Sequence, residues 1–221
     1  GKNKDIDEKI LEKIWSDWKS FAAYAFNKSH STCYSLIAYK TAFLKANYTS
    51  EYMASVLTHN QNNIDKISYF MDECKKQKIQ VLGPDINNSE NNFIVGENGD
   101  ILFGLGAIKG SGEAAVSYII EERNLNGKYK DIFDFILRTN SRAVNKKTYE
   151  ALALAGAFDN LGQIHRKQYI YSDEKEPSLI EKIITYSNKL QKQKESKQTF
   201  LFENSSEKNV SLPLIPEIDP F

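Results

Sequence analysis

The chain has 221 residues, 41% of them hydrophobic and 12% aromatic, so it can bury a core in one large domain or two small ones. Its 29 basic and 29 acidic side chains cancel, which excludes attraction of nucleic acid or anionic membrane through overall charge. Any contact with nucleic acid must therefore come from a local basic patch.

Four amphipathic helices are predicted in the first third of the chain. Residues 10–25 carry apolar side chains at every third or fourth position, which is the spacing of one helical face. We expect Asp5 or Asp7 to cap this helix and Thr49 or Ser50 to cap the third. The same spacing recurs in three later stretches, at 34–44, 52–57 and 64–74.

The pattern changes between residues 79 and 103, where short β-prone segments alternate with turn-forming pairs. The pairs are Gly83 with Pro84 and Asn98 with Gly99. They predict a small β-hairpin that connects two helical regions. The β-prone segments are 79–82, 93–95 and 101–103.

Helical spacing returns at residue 105 and continues to about residue 154, with breaks near 126–127 and 139–144. A charged helix follows, and then a polar tail with three prolines that is typical of a linker. We therefore predict a mainly α fold in three parts. These are helices with a short β-hairpin connector in 1–103, tandem helical hairpins in 104–171, and a charged helix with a linker tail in 172–221.

Gly110 and Gly112 form a Gly-x-Gly pair flanked by apolar residues at helical spacing, which resembles the helix-hairpin-helix motif. The glycines permit a tight turn, and the turn opens the next helix with unpaired amides that favour an anion. Lys109 adds a mobile charge next to those amides. We therefore predict that the turn, with Ser111 between its glycines, holds DNA phosphates without reading base sequence. An ordinary hairpin that needs two glycines for packing is the alternative.

A basic cluster follows within 138–147, a stretch that contains no acid. It leads into a helix that resembles a second, less complete copy of the hairpin. We predict that the cluster extends the contact with the DNA backbone, the alternative being an ordinary solvated face. Its members are Arg138, Arg142, Lys146 and Lys147.

No metal site or cofactor is predicted. Asp5 and Asp7 look like a metal-binding Asp-x-Asp pair, but they stand at the start of an amphipathic helix without a third carboxylate nearby in sequence, so capping is the better interpretation. Cys33 and Cys74 lie far apart without zinc spacing, and no secretory leader is seen. We expect reduced thiols in a soluble, cytoplasmic protein that does not contact a membrane.

A series of motifs starts with Phe-Asn-Lys-Ser-His-Ser at 26–31 and Ala-Tyr-Lys-Thr-Ala-Phe-Leu-Lys-Ala at 38–46. The series resembles the fingers and the following region of the C-family bacterial replicative DNA polymerases, the DNA polymerase III alpha subunits. A weak match at 198–202 resembles the motif before the family's next domain. Further matches occur in the family's order, at 51–54, 73–74, 81–87, 103–110, 112–116, 133–135 and 155–159.

The resemblance implies that the fingers contact the triphosphate of the incoming dNTP. Lys28 and His30 are the candidate contacts, with Asn27 and Ser29 as polar support. The resemblance also implies that the tandem helix-hairpin-helix region holds the primer-template duplex. The parent protein would be a DNA-directed DNA polymerase, a nucleotidyltransferase that works with the rest of the polymerase, the sliding clamp and other replisome subunits.

The resemblance further implies that the chain alone is inactive. In this family the palm aspartates that hold Mg²⁺ precede the fingers, and this sequence starts after them. We therefore expect no catalytic residue here and no nucleotide incorporation.

Two other functions share some of these features. A free-standing helix-hairpin-helix adaptor of a repair complex would use Gly110 and Gly112 but would owe nothing to Lys28 and His30. A purely structural helical scaffold would use the glycines only for close packing. Charge reversal of Lys109 and Lys146 together separates a DNA-binding protein from a scaffold, because only the DNA-binding protein loses affinity for DNA.

Overall fold

The structure is a computed structural model that describes residues 6–24, 28–139, 144–173, 176–199 and 211–219. Within those residues it contains nine α-helices and three short strands, which confirms the mainly α prediction. The helices are α1 (Glu8–Tyr24), α2 (Lys28–Asn47), α3 (Thr49–His59), α4 (Ile64–Lys76), α5 (Glu113–Asn126), α6 (Ile132–Thr139), α7 (Lys146–Ala155), α8 (Arg166–Ile170) and α9 (Leu179–Thr199), and the strands are β1 (Val81–Leu82), β2 (Ile94–Val95) and β3 (Ile101–Leu102).

The chain divides into two compact units, residues 1–49 and 50–221. The predicted boundaries at 103–104 and 171–172 differ from this division. The connector belongs with the helices that follow, because Ile86 is buried in their core and its amide donates to Ala157 O at 2.9 Å. The start of α9 is buried in the same core, through Leu179, Ile180 and Ile183.

The first unit consists mainly of α1 and α2. Asp7 Oδ1 accepts a hydrogen bond from Lys9 N at 3.0 Å, which confirms the predicted cap of α1; Asp5 lies outside the described residues. The apolar face of α1 is exposed, and the Trp15 and Trp18 side chains are 61% and 64% accessible. Helix α2 likewise has no buried residue among those described.

The predicted caps of α3 are wrong. Thr49 and Ser50 are the first two residues of the helix itself, and among the described residues neither hydroxyl accepts a hydrogen bond from a first-turn amide. Thr49 Oγ1 donates to Lys45 O at 2.9 Å, and Ser50 Oγ donates to Gly99 O at 2.6 Å.

The three strands form one sheet in the order β1-β3-β2. Strands β2 and β3 are antiparallel, with Ile94 opposite Leu102, and they form the predicted hairpin. Strand β1 joins β3 in parallel, with Val81 opposite Ile101. The prediction did not include this pairing, and it leaves β1 at the edge of the sheet.

The sheet and the helices around it are held by two clusters of buried side chains. The smaller one joins α3 and α4 to the sheet through Met53, Leu57, Ile67, Phe93 and Ile101. The larger one surrounds Phe135 on α6, whose ring centroid lies 4.8 Å from that of Tyr129, 5.7 Å from Tyr149 and 5.1 Å from Phe158. Because these aromatic residues come from different elements, the larger core fixes α6 and α7 against each other.

Candidate nucleic-acid interface

The predicted Gly-x-Gly turn lies between a short helical turn and α5. Its first helix is a single 3-10 turn at Leu105–Ala107, shorter than predicted. Gly110 and Gly112 have φ angles of +94° and +78°, a region that residues with a Cβ rarely adopt. The chain can reverse here only because both positions are glycine.

Ser111 closes the turn from inside. Its side chain is buried, and Oγ lies within hydrogen-bonding distance of Leu105 O at 3.0 Å and Ile108 O at 2.8 Å. The hydroxyl group therefore holds the turn together. The Ser111 amide also donates to Ile108 O, at 3.1 Å, so both hydrogen-bond donors of Ser111 are used within the turn.

Helix α5 begins without a side-chain cap at Gly112. Among the described residues, no acceptor is seen for the first-turn amides of Glu113, Ala114 and Ala115. Such a helix start carries a partial positive charge and free donors, which favour an anion. The exposed carboxylate of Glu113 stands at the same place and opposes a phosphate there.

Helix α7 starts directly beside this turn. Thr148 Oγ1 donates to Ser111 O at 3.1 Å, and a Cβ placed on Gly110 would lie 3.5 Å from Ala151 Cβ and 3.9 Å from Lys147 Cε. Asn145 Oδ1 accepts from Thr148 N at 3.2 Å and caps α7. Two helix starts are thus neighbours. Thr148, which joins them, was missed by the sequence reasoning because a buried threonine has no distinctive pattern.

The predicted lysines differ in what they contact. Lys109 and Lys147 are exposed, and neither forms an ion pair among the described residues. Lys146 Nζ lies 2.7 Å from Glu181 and 3.5 Å from Glu150, and the hydrogen bond to Glu181 raises the pKa of Lys146. The two unpaired lysines are therefore better placed than Lys146 to meet a phosphate.

Arg138 is turned into the protein, although it was predicted to contact DNA. Its Nε donates to Glu122 Oε1, Nη1 to Asp134 and Lys128 O, and Nη2 to Glu122 O and Gly127 O. These acceptors match all five guanidinium donors. Its Cζ also lies 4.4 Å from the centroid of the Tyr129 ring. Arg138 therefore joins α5 to α6 and has no guanidinium donor left for a phosphate. Arg142 lies outside the described residues.

A cavity of about 800 Å³ lies next to the turn. Its walls include residues 106–113 together with Gln61 and Asn91, which no sequence pattern indicated. Gln61 Oε1 and Asn91 Oδ1 are buried without a hydrogen-bond partner among the described residues. The turn therefore borders a partly polar recess.

The residues predicted to contact dNTP open α2. Lys28 is the first residue of this 20-residue helix, and its carbonyl oxygen accepts hydrogen bonds from the hydroxyl groups of Ser31 and Thr32 at 2.9 and 2.8 Å. The His30 and Tyr34 rings are stacked obliquely, with centroids 4.3 Å apart. Ser29 lies between Lys28 and His30, and Asn27 is outside the described residues. Their role in nucleotide binding stays a prediction.

Among the described residues, no group of three or more His, Cys, Asp or Glu side chains is placed to hold a metal ion. Across the same part of the chain, no helix combines the length and apolar character required to cross a bilayer.

Comparison with known proteins gives two findings. The helix-hairpin-helix motif family matches residues 78–169. The DNA polymerase III alpha subunit of Vibrio cholerae is 46% identical over 157 residues, and those of Pseudomonas aeruginosa and Borreliella burgdorferi are 45% and 48% identical over 161 and 160 residues. These matches cover 71 to 73% of the chain but only 14% of each relative.

Proposed function

We propose that this chain holds the sugar-phosphate backbone of primer-template DNA as part of a replicative DNA polymerase. The chain is homologous to a segment of the bacterial DNA polymerase III alpha subunits. The relatives carry that polymerase name, and the matched family is a helix-hairpin-helix motif. The sliding clamp and other replisome subunits would be partners of the whole protein. The Mg²⁺ ions of the whole protein would be held by carboxylates outside this chain.

One observation carries the DNA-binding part of the proposal. The uncapped start of α5 and the start of α7 are neighbours, joined by the Thr148–Ser111 hydrogen bond. Lys109 lies in the turn that leads into α5, and Lys147 is the second residue of α7; both are exposed and form no ion pair among the described residues. Backbone amides and mobile lysines together favour phosphate oxygens of any base sequence.

The Lys109→Glu, Lys147→Glu double variant is expected to bind a primer-template duplex roughly 10- to 100-fold more weakly at low salt than the unaltered chain. The plot of log affinity against log salt should become less steep by about 2, because about one counterion per lost phosphate contact is no longer released. Fluorescence anisotropy of a labelled duplex, at several salt concentrations and with two unrelated base sequences, measures both quantities.

Two matched variants make the result specific. Lys189→Glu changes an exposed lysine of α9 and should bind DNA like the unaltered chain. Lys146→Glu should have a smaller effect than Lys147→Glu, because Glu150 and Glu181 already contact Lys146. Equal losses of DNA affinity in Lys146→Glu, Lys147→Glu and Lys189→Glu would indicate a non-specific charge effect. Unchanged DNA affinity of the double variant would favour a structural scaffold.

We further propose that Lys28 and His30 contact the triphosphate of an incoming dNTP. The resemblance of 26–31 to the fingers motif supports this, as does the position of both residues in the first turn of a long helix. In the unaltered chain, dATP should slow acetylation of Lys28, whereas deoxyadenosine should not. Lys28→Ala should weaken dATP binding about 10-fold, since a charge-assisted hydrogen bond contributes roughly 1.5–3 kcal/mol.

Acetylation rates can be followed by peptide mass spectrometry, with Lys13 on α1 as the internal reference. Equal protection of Lys13 and Lys28 would contradict the contact. A free-standing repair adaptor with the same hairpins would show DNA binding without selective protection of Lys28.

A further inference from the structure

A groove of about 520 Å³ runs between the end of α4 and β1. It lies in the second unit, and the hairpin turn is not among its lining residues. Its apolar wall includes Ile79 and Leu82, the latter 40% accessible. Charged residues at its rim are Asp72, Lys75 and Lys78.

The edge of β1 presents unused backbone groups to a neighbour. Ile101 N donates to Gln80 O at 2.8 Å, and Phe103 N donates to Leu82 O at 3.2 Å. In a parallel ladder the residue between these two acceptors points its N–H and C=O groups the other way. Val81 therefore directs one donor and one acceptor away from β3, at the open edge of the sheet.

Lys78 adopts an unusual backbone conformation at this groove. Its φ angle is +62°, the one positive value among described residues other than glycine. This conformation ends α4, with Lys78 N donating to Lys75 O at 3.0 Å and Ile79 N to Cys74 O at 2.9 Å. Glycine is favoured at such a helix end, because this backbone conformation is strained for a residue with a side chain such as lysine.

The rim is weakly basic. Lys75 and Lys78 are exposed and form no ion pair among the described residues, whereas Asp72 is the one acid in the lining. A partner with acidic side chains would complement the two lysines, and its apolar side chains would cover Ile79 and Leu82.

We propose that this groove binds an extended, acidic peptide of a partner protein, which adds as a strand to the edge of β1. Alternate acidic and apolar side chains would face the lysines and the apolar wall, while the peptide backbone pairs with Val81. DNA fits this edge less well, because phosphate oxygens only accept hydrogen bonds and the C=O group of Val81 needs a donor.

The test uses the whole chain and a fluorescein-labelled, end-blocked hexapeptide of alternating glutamate and valine. Anisotropy should show saturable binding of this peptide. A lysine-valine peptide of the same length should bind at least about 10-fold more weakly, because its charges repel the rim. N-methylation of all the peptide's backbone amides should also weaken binding, since it removes the N–H donors that would pair with Val81.

Variants of the chain locate the site. Lys75→Glu, Lys78→Glu is expected to reduce peptide affinity at least about 10-fold, and Lys66→Glu, on the same helix outside the groove, is expected to leave it unchanged. Val81→Pro removes the outward N–H group without removing a bond to β3 and should also weaken binding. Lys78→Gly should weaken binding while raising the unfolding temperature, which a purely structural role of Lys78 would not predict.

Absence of saturable binding by the acidic peptide would overturn the proposal, as would equal binding by the unaltered chain and the Lys75→Glu, Lys78→Glu variant. If this variant instead lost affinity for duplex DNA and kept its affinity for the peptide, the lysines would belong to the DNA interface, and the groove proposal would be wrong.

Discussion

Replacement of Arg123 by leucine is expected to lower the free energy of unfolding of the second unit by roughly 2–4 kcal/mol. The Arg123 side chain is only 6% accessible, and its guanidinium donates to Ile86 O at 3.1 Å, Ser89 O at 2.7 Å and Glu90 at 2.6 Å. Leucine would leave two carbonyl oxygens and a carboxylate without their donor. The connector would then lose its main polar attachment to α5.

Urea unfolding followed by far-UV circular dichroism measures this loss, and hydrogen exchange of the 86–90 amides locates it. Tryptophan emission is unsuitable, because both tryptophans lie in α1. Glu90→Gln is the matched control; Glu90 is 41% accessible, so this variant should cost less than about 1 kcal/mol. Equal effects of the two variants would show that the ion pair, rather than the two carbonyl contacts, carries the stabilisation.

Phe135→Ala is expected to cost about 3–5 kcal/mol of unfolding free energy. The Phe135 ring is fully buried and contacts three other aromatic rings, from Tyr129, Tyr149 and Phe158. Alanine would leave a cavity at the centre of the larger core. Because Tyr149 lies on α7, the cavity should also loosen the helix start beside the hairpin turn.

The same urea experiment, combined with the DNA anisotropy assay, tests this result. Tyr69→Ala removes an aromatic ring that is 65% accessible and should change stability by less than about 0.5 kcal/mol. A Phe135→Ala protein as stable as Tyr69→Ala would mean that the core closes around the missing ring. Retained DNA affinity in a strongly destabilised variant would mean that the hairpin turn does not depend on this core.

The helices were predictable because apolar spacing is a local property of the chain. The spacing within 10–25, 34–44 and 64–74 identified α1, α2 and α4. Gly110 and Gly112 identified the turn, because positive φ angles require residues of that type. The parallel pairing of β1 with β3 depends on contacts between segments about 20 residues apart, and two-residue strands have too little periodicity to show it.

The candidate site was only partly predictable. A count of basic residues does not distinguish Arg138 and Lys146 from Lys147. The acidic residues that pair with Arg138 and Lys146 include some that are distant in sequence. Glu122 precedes Arg138 by 16 residues, and Glu181 follows Lys146 by 35. Only the folded chain separates basic residues that already have acid neighbours from Lys147, which has no ion pair among those described.

The two cysteines have a practical consequence for kinetics. Cys33 is exposed on α2, whereas Cys74 is wholly buried in α4, and burial raises the pKa of the Cys74 thiol. An alkylating reagent should therefore add once to the native chain and a second time only when α4 leaves its core. The rate at which the doubly alkylated mass appears would record how often that core opens, without introducing any foreign label site.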